Sequence, residues 1–243
     1  MKKMLRMTGV VVSLVAMILP LTAYQSSQAE LARRKTAVDR YRAAGVFSEK
    51  VYQAVMSTPR EYFMPEGQNH MTYEEVPVAI GWGQTITNQW FVAYMTHLLD
   101  VQASDKVLEI GSGSGYQASI LWQITKKVYT IEIVSQLAAI AKQRWQNLGY
   151  SSIVGKAADG YYGWAEYGPF DKIVVTCAAD HVPVYLMQQL KPGGVMVIPV
   201  GNPFDRQTLL KITKNMDGTV RTERLQSVKF VPFTGKMLEK YGK

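Results

Sequence analysis

The sequence predicts an α/β fold built on a doubly wound parallel sheet, with an N-terminal helical and loop extension and a C-terminal hairpin. Three observations predict it. From Lys106 onward, short apolar runs alternate with helical periodicities, the pattern of strands joined by crossover helices. A glycine-rich turn, Gly111-Ser112-Gly113-Ser114-Gly115, follows the first of those runs. The 243 residues, 47% hydrophobic against 19% charged, suffice for one large core and exclude long disorder, a collagen-like repeat and a polytopic membrane protein.

The amino terminus has two readings. Met1 to Arg6 is basic, Met7 to Ala23 is mostly apolar, and Ser27-Gln28-Ala29 offers small residues where a signal peptidase reads them. Residues 1–29 then form a secretory signal peptide, and cleavage after Ala29 leaves 243 − 29 = 214 residues. Alternatively the segment is an uncleaved membrane anchor. Arg33, Arg34, Lys35, Arg40 and Arg42 outnumber the three cations before the apolar run, which by the positive-inside rule keeps the body in the cytoplasm. Those five cations also read simply as a solvated helix face.

Ser48 caps a short helix through Met56, with Val51, Val55 and Met56 on one face, and Thr58-Pro59 ends it. Arg60 to Thr87 is irregular. A second helical pattern, Phe91, Met95, Leu98 and Leu99, precedes Asp105. Val107 to Ile110 is a strand; a helix starts near Tyr116; Val128 to Ile131 is the next strand. Leu137, Ile140, Ala141 and Leu148 fall at helical spacing, closed by Gly149. Ser152 to Val154 is a third apolar run, and Ile173 to Thr176 and Val195 to Val200 are further buried strands, the last entered through the turn Lys191-Pro192-Gly193-Gly194. Leu209 to Ile212 and Val228 to Phe233, separated by Asp217-Gly218, form a terminal hairpin on the same sheet. The boundaries are thus 1–29, a helical and acceptor-loop region at 30–104, a nucleotide-type core at 105–201, and closing strands at 202–243.

Composition limits the chemistry. One cysteine, Cys177, excludes a disulfide framework and any cysteine-based zinc cluster, and reads as a buried small residue. His70, His97 and His181 are scattered, so no metal site is expected. A net charge of +8, or 8 − 3 = 5 without Lys2, Lys3 and Arg6, is too mild for a nucleic-acid partner.

The glycine turn lets the backbone pass close beneath a ligand, and the helix that follows offers unpaired N–H donors, although such a turn can also be mere tight geometry. A dinucleotide fingerprint wants glycine at position 116, where Tyr116 stands, so the spacing favours S-adenosyl-L-methionine (AdoMet) over NAD. Glu132 ends the next strand, where a carboxylate can accept two ribose hydroxyls or serve only as an exposed helix-start acid. Asp159-Gly160 follows the third run, where a carboxylate can accept an adenine amino group or simply make an Asp-Gly turn. Their order is more specific than any one of them.

Together with Thr58-Pro59-Arg60-Glu61-Tyr62-Phe63, Gly83-Gln84-Thr85-Ile86-Thr87, Gly168-Pro169-Phe170-Asp171, Val174-Val175-Thr176, Leu190-Lys191-Pro192-Gly193-Gly194 and Phe230-Val231-Pro232, these residues resemble the protein-L-isoaspartate O-methyltransferase family from about Val46 to Pro232. The resemblance implies a Rossmann-like class I AdoMet-dependent methyltransferase. Its substrates would be L-isoaspartyl and D-aspartyl carboxylates in damaged proteins, methylated to initiate repair, with S-adenosyl-L-homocysteine as product. It further implies that Thr87 donates a hydrogen bond to the acceptor carboxylate, that Gln84, Thr85 and Ile86 line its approach, and that Val231 and Pro232 hold the substrate backbone. Glu109, with Gly111, Ser112, Gly113, Ser114 and Gly115, would hold the methionine portion of AdoMet, Glu132 the ribose, and Asp159 with Gly160 the adenine.

Two features depart from the family. Thr87 stands where serine is usual and continues into Asn88-Gln89-Trp90 where a proline is usual, so Thr87 also reads as a helix cap. Trp82 and Trp90 flank this loop as core or as groove lining. The N-terminal segment suggests export or inner-membrane anchoring in a family usually cytoplasmic, and an exported enzyme lacks an evident AdoMet supply. The chain is expected to be a monomer that meets a membrane only through that segment. A small-molecule methyltransferase and a non-catalytic exported binding module remain open at this level.

Overall fold

The computed structural model describes residues 26–45 and 47–242, so the apolar run before Ser26 lies outside the described residues; within them, no helix is long and apolar enough to cross a membrane. Two helices come first, α1 (Gln28–Ala43) and α2 (Glu49–Met56). An antiparallel hairpin, β1 (Val78–Gly81) and β2 (Gln84–Ile86), then leads into α3 (Gln89–Leu99). That hairpin was not expected from the irregular stretch. The alternating part follows: β3 (Lys106–Ile110), α4 (Tyr116–Ile124), β4 (Lys127–Glu132), α5 (Ser135–Leu148), β5 (Val154–Ala157), β6 (Phe170–Val175), α6 (Val184–Gln189) and β7 (Leu190–Gly201). β8 (Gln207–Lys214) and β9 (Val220–Val228) close the sheet.

The order is β5-β4-β3-β6-β7-β8-β9, parallel from β5 to β7 and antiparallel beyond. The doubly wound prediction therefore holds. Chain order reverses between β3 and β6, so their carboxyl ends diverge into a crevice, the place where open sheets of this kind bind ligands. Residues alternate between two cores. Val107, Val174, Val195 and Val197 pack toward α2, α3 and α4, while Leu108, Ile173, Met196 and Ile198 pack on the opposite face with Trp164, Phe170 and Leu186.

Four expectations shift. The second strand of the terminal hairpin is Val220–Val228, not Val228 to Phe233. As an edge strand with most residues exposed it carries no apolar run, and the apolar Val231 and Phe233 instead reach across to Ala178 by backbone hydrogen bonds. Lys191 to Gly194 form an outward irregularity within β7, between the pairs Phe170–Leu190 and Lys172–Val195. Ser48 occupies the cap position of α2, but its hydroxyl makes no capping bond. Arg34 is no part of a solvated face: it is buried and pairs at 2.8 Å with the buried Glu61, while Arg33, Lys35 and Arg42 do form exposed or half-exposed pairs. The described fold engages its chain from Ser26, whose hydroxyl meets both Glu61 and Arg34, and Ser27 caps α1, so Ala29 sits in a helical first turn.

Candidate functional site

A cleft of about 780 Å³, counted to its open mouth, lies at the β3–β6 crevice. Its floor is the glycine turn. Gly111 takes φ +94° at the end of β3, and a Cβ there would stand 2.5 Å from the Thr176 hydroxyl, which itself donates to the Ile110 and Gly111 carbonyls at 3.0 and 2.7 Å. Only glycine permits both the conformation and the approach. Gly113 (φ +49°) presents its N–H to the Glu132 carboxylate at 2.8 Å, and the other Glu132 oxygen accepts from Val134 N–H at 2.9 Å. Two backbone donors thus fix this carboxylate at the cleft wall with lone pairs left over.

Facing the turn is the hairpin. Gln84, Thr85, Ile86 and Thr87 line the cleft together with Val231 and Pro232, whose position is fixed by the bridge to Ala178. Every acceptor-side residue expected from the sequence therefore meets Gly111, Ser112, Gly113, Ser114, Glu132 and Gly160 around one cavity. The cap of α3 is Asn88, whose side-chain oxygen accepts from Phe91 N–H at 2.9 Å, and not Thr87. Among the described residues no protein acceptor takes the Thr87 hydroxyl.

Three expected residues stand elsewhere. Glu109 is fully buried behind the turn, accepts from the Thr130 hydroxyl, and does not line the cleft. Burial pushes its carboxyl up to about 8, against the Thr130 hydrogen bond, so at neutral pH it is largely uncharged. A positively charged ligand amino group brought near it would oppose that shift. Gly115 (φ +90°) starts α4, and its carbonyl accepts from Trp145 Nε1 at 3.0 Å. Asp159 lies at the rim, with one oxygen on Tyr161 N–H (2.9 Å) and the other on Lys236 N–H (2.7 Å). The last contact belongs to a 3-10 turn, Gly235–Tyr241, that the sequence reading had not separated from the closing strands.

Sequence reasoning also missed Arg60. It is wholly buried, with no carboxylate within ion-pair distance among the described residues. Its Nε donates to the Thr72 carbonyl and its Nη2 to the Thr87 carbonyl, each at 2.8 Å, and its guanidinium lies 4.8 Å from the Tyr116 ring centre. The Tyr116 hydroxyl in turn accepts from Gln89 Nε2 at 2.9 Å. The segment around Thr87 is thus pinned on both sides. An arginine inside the motif 58–63 was the available signal. Cys177 lines the cleft half-buried, and burial followed by the nearby Glu132 and Asp159 charges pushes its thiol well up, which favours the neutral form.

The residues fit AdoMet: a glycine turn with no room for a Cβ at Gly111, a wall carboxylate held with spare acceptor capacity, and apolar sides from Ile110, Ile131 and Ile133. A family model described as protein-L-isoaspartate(D-aspartate) O-methyltransferase matches residues 32–238. The chain is 44% identical over 237 residues to protein-L-isoaspartate O-methyltransferase 1 of Cupriavidus necator, covering 93% of this chain and 92% of the relative. It is 47% identical over 186 residues to protein-L-isoaspartate O-methyltransferase 2 of Syntrophobacter fumaroxidans, covering 76% and 75%. A solved structure of a protein-L-isoaspartate O-methyltransferase superposes with a TM-score of 0.77 at 26% identity, over 85% of this chain and 68% of that one. A beta-aspartate methyltransferase from Plasmodium falciparum, solved in complex with S-adenosyl-L-homocysteine, has the same fold with a TM-score of 0.71 at 22% identity, over 83% and 98%.

Proposed function

Because this chain belongs to the protein-L-isoaspartate(D-aspartate) O-methyltransferase family, we propose that the cleft between the hairpin and the glycine turn is where the family's reaction takes place, with its residues in the roles below. The reaction is AdoMet-dependent methylation of the side-chain carboxylate of L-isoaspartyl residues in damaged proteins. When bound, AdoMet supplies an electrophilic methyl group on its sulfonium.

Gly111 to Ser114 hold the methionine end through the backbone, Glu132 accepts the ribose hydroxyls, and Gly160 with Ile133 borders the adenine, with Asp159 at the rim. On the acceptor side, an isoaspartyl carboxyl with an ordinary pKa of about 4 is already ionised at neutral pH, so no general base is needed. The demand falls on positioning and on exclusion of water. Thr87 donates its hydroxyl hydrogen to one carboxylate oxygen and so aims the other. Arg60 is a positioning residue: it grips the Thr87 carbonyl and places a buried positive charge beneath the loop that receives an anion. Ile86, Val92 and Met95 supply the dry wall, and Val231-Pro232 holds the substrate backbone.

The observation that carries this reading is the Thr87 hydroxyl, without a protein acceptor among the described residues, on the same cavity as Glu132 and the glycine turn. Thr87→Val keeps the β-branched shape and deletes the donor. Losing one hydrogen bond to a charged group costs about 1.5 to 3 kcal/mol, so kcat/KM for an isoaspartyl peptide should fall roughly 10- to 150-fold with AdoMet affinity unchanged. Thr87→Ser should stay near wild type. Wild-type turnover in Thr87→Val would remove the hydroxyl from the mechanism.

A further inference from the structure

We propose that Trp82, at the tip of the β1–β2 hairpin, is a docking residue for the polypeptide segment that flanks the isoaspartyl residue, and so a determinant of which damaged proteins bind well. The proposal rests on the site reading above.

In the hairpin Gly81 pairs with Gln84, which leaves Trp82-Gly83 as a two-residue loop. Trp82 has φ +50° and Gly83 has φ +71°. Two consecutive left-handed residues define the turn that favours Asn-Gly, Asp-Gly or Gly-Gly, because a bulkier residue sets its Cβ against the neighbouring carbonyl. Tryptophan is among the least suited residues for that first position.

Core packing does not offset this cost. The indole is 51% exposed and belongs to none of the apolar clusters. The other four tryptophans all have partners: Trp90 stacks on Tyr94 at 5.0 Å, Trp122 and Trp164 meet Tyr150 and Tyr167 edge-on at 5.1 and 4.9 Å, and Trp145 donates to the Gly115 carbonyl. Of the five, Trp82 alone is held in a left-handed conformation while half exposed and outside every apolar cluster. Strain of this kind, next to a site, points to a ligand that repays it.

Continuity with the cleft identifies the ligand. The strand that starts two residues later carries Gln84, Thr85 and Ile86 on the cleft wall and ends at Thr87. An extended chain advances about 3.3 Å per residue, so Trp82 stands roughly 15 Å from Thr87 along the strand. That is beyond the reacting carboxylate and at the level of residues about four positions away in an extended substrate. An indole there offers a broad apolar face to side chains and peptide planes and one N–H to a carbonyl. The partner is therefore an extended polypeptide with apolar residues flanking the lesion, not the lesion itself.

The full-length enzyme with Trp82→Asn, Trp82→Gly and Trp82→Phe tests this against two acceptors, an isoaspartyl peptide of about ten residues with apolar flanks and a minimal isoaspartyl tripeptide. For the longer peptide, Asn and Gly should raise KM about ten-fold with kcat unchanged, and Phe should recover most of the loss. KM for the tripeptide and the Kd of AdoMet should not move. Because Asn-Gly suits the turn, Trp82→Asn should also melt about 2 to 4 °C higher than wild type, which a residue kept for folding could not do. An unchanged KM for the longer peptide in active Trp82→Asn overturns the proposal, as does a lower Tm with a loss of kcat on both acceptors. Failure of the wild-type enzyme to methylate either peptide would instead overturn the site reading on which the proposal rests.

Discussion

Glu109, one residue before the end of β3, and Glu132, at the end of the neighbouring β4, have opposite surroundings. Glu132 is held by two backbone N–H groups at the cleft wall, whereas Glu109 sits in the interior with a single side-chain donor and with its Oε1 lacking a partner. Glu132→Ala should weaken AdoMet, because charge-assisted hydrogen bonds of about 1.5 to 3 kcal/mol each are at stake before water competes. Calorimetry showing unchanged affinity in a folded variant would remove the ribose role. For Glu109 the readout is stability against pH. Its folded pKa of about 8 lies above the ordinary carboxylate value, so between about pH 4.5 and 8 the unfolded chain is ionised while the folded chain keeps its proton, and stability falls as pH rises through that window. Glu109→Gln imitates the protonated form. Its stability relative to wild type should grow across that range and level off above pH 8, by an amount on the order of a few kcal/mol. Denaturant titrations giving a constant difference from pH 5 to 8 would show that Glu109 is ionised in the fold. A strand-end acid beside a glycine turn looks the same in sequence whether it faces the ligand or the core, and Glu109 stands on the core side.

Elements were legible in proportion to their burial. β3, β4, β6 and β7 are packed on both faces and read as continuous apolar runs, whereas β9, VRTERLQSV, is an exposed edge with no such run. The β1–β2 hairpin is too short for alternation to show, and its turn hides a tryptophan where glycine or asparagine is the usual signal. Assigning the cap of α3 to Thr87 missed by one residue, and with Asn88 in that place the Thr87 hydroxyl is not engaged in capping. The C-terminal 3-10 turn packs through Gly235 against Asp159 and Ile133 at the cleft rim. Its φ is +80°, and a Cβ would stand 2.5 Å from Asp159 Oδ2 and 2.7 Å from Ile133 Cδ1. Gly235→Ala should cost about 1 to 2 kcal/mol of stability from the left-handed conformation alone, and by pushing on Ile133 and Asp159 it should weaken AdoMet several-fold. Thermal melts and calorimetry check both, and a variant with wild-type Tm and wild-type AdoMet affinity would show that the turn does not bear on the cleft.

At the scale of the molecule, the sequence order of glycine turn, Glu132 and Asp159-Gly160 is the order in which the chain leaves the carboxyl ends of β3, β4 and β5. This is why spacing alone could bring the glycine turn, Glu132 and Gly160 to one cleft. The acceptor half could not be read in this way, because the hairpin, Arg60 and Val231-Pro232 come from segments distant in sequence that meet only once the sheet is wound. The central claim is that this one cleft methylates the isoaspartyl carboxylate, and it is tested most directly with paired peptides that differ only in carrying isoaspartate or normal aspartate at one position. Incubated with the full-length chain and AdoMet labelled in its methyl group, the isoaspartyl peptide should gain a base-labile methyl ester and the aspartyl peptide should not, with Thr87→Val reducing the transfer. A wild-type chain that binds AdoMet yet labels neither peptide, or labels both equally, would contradict the claim.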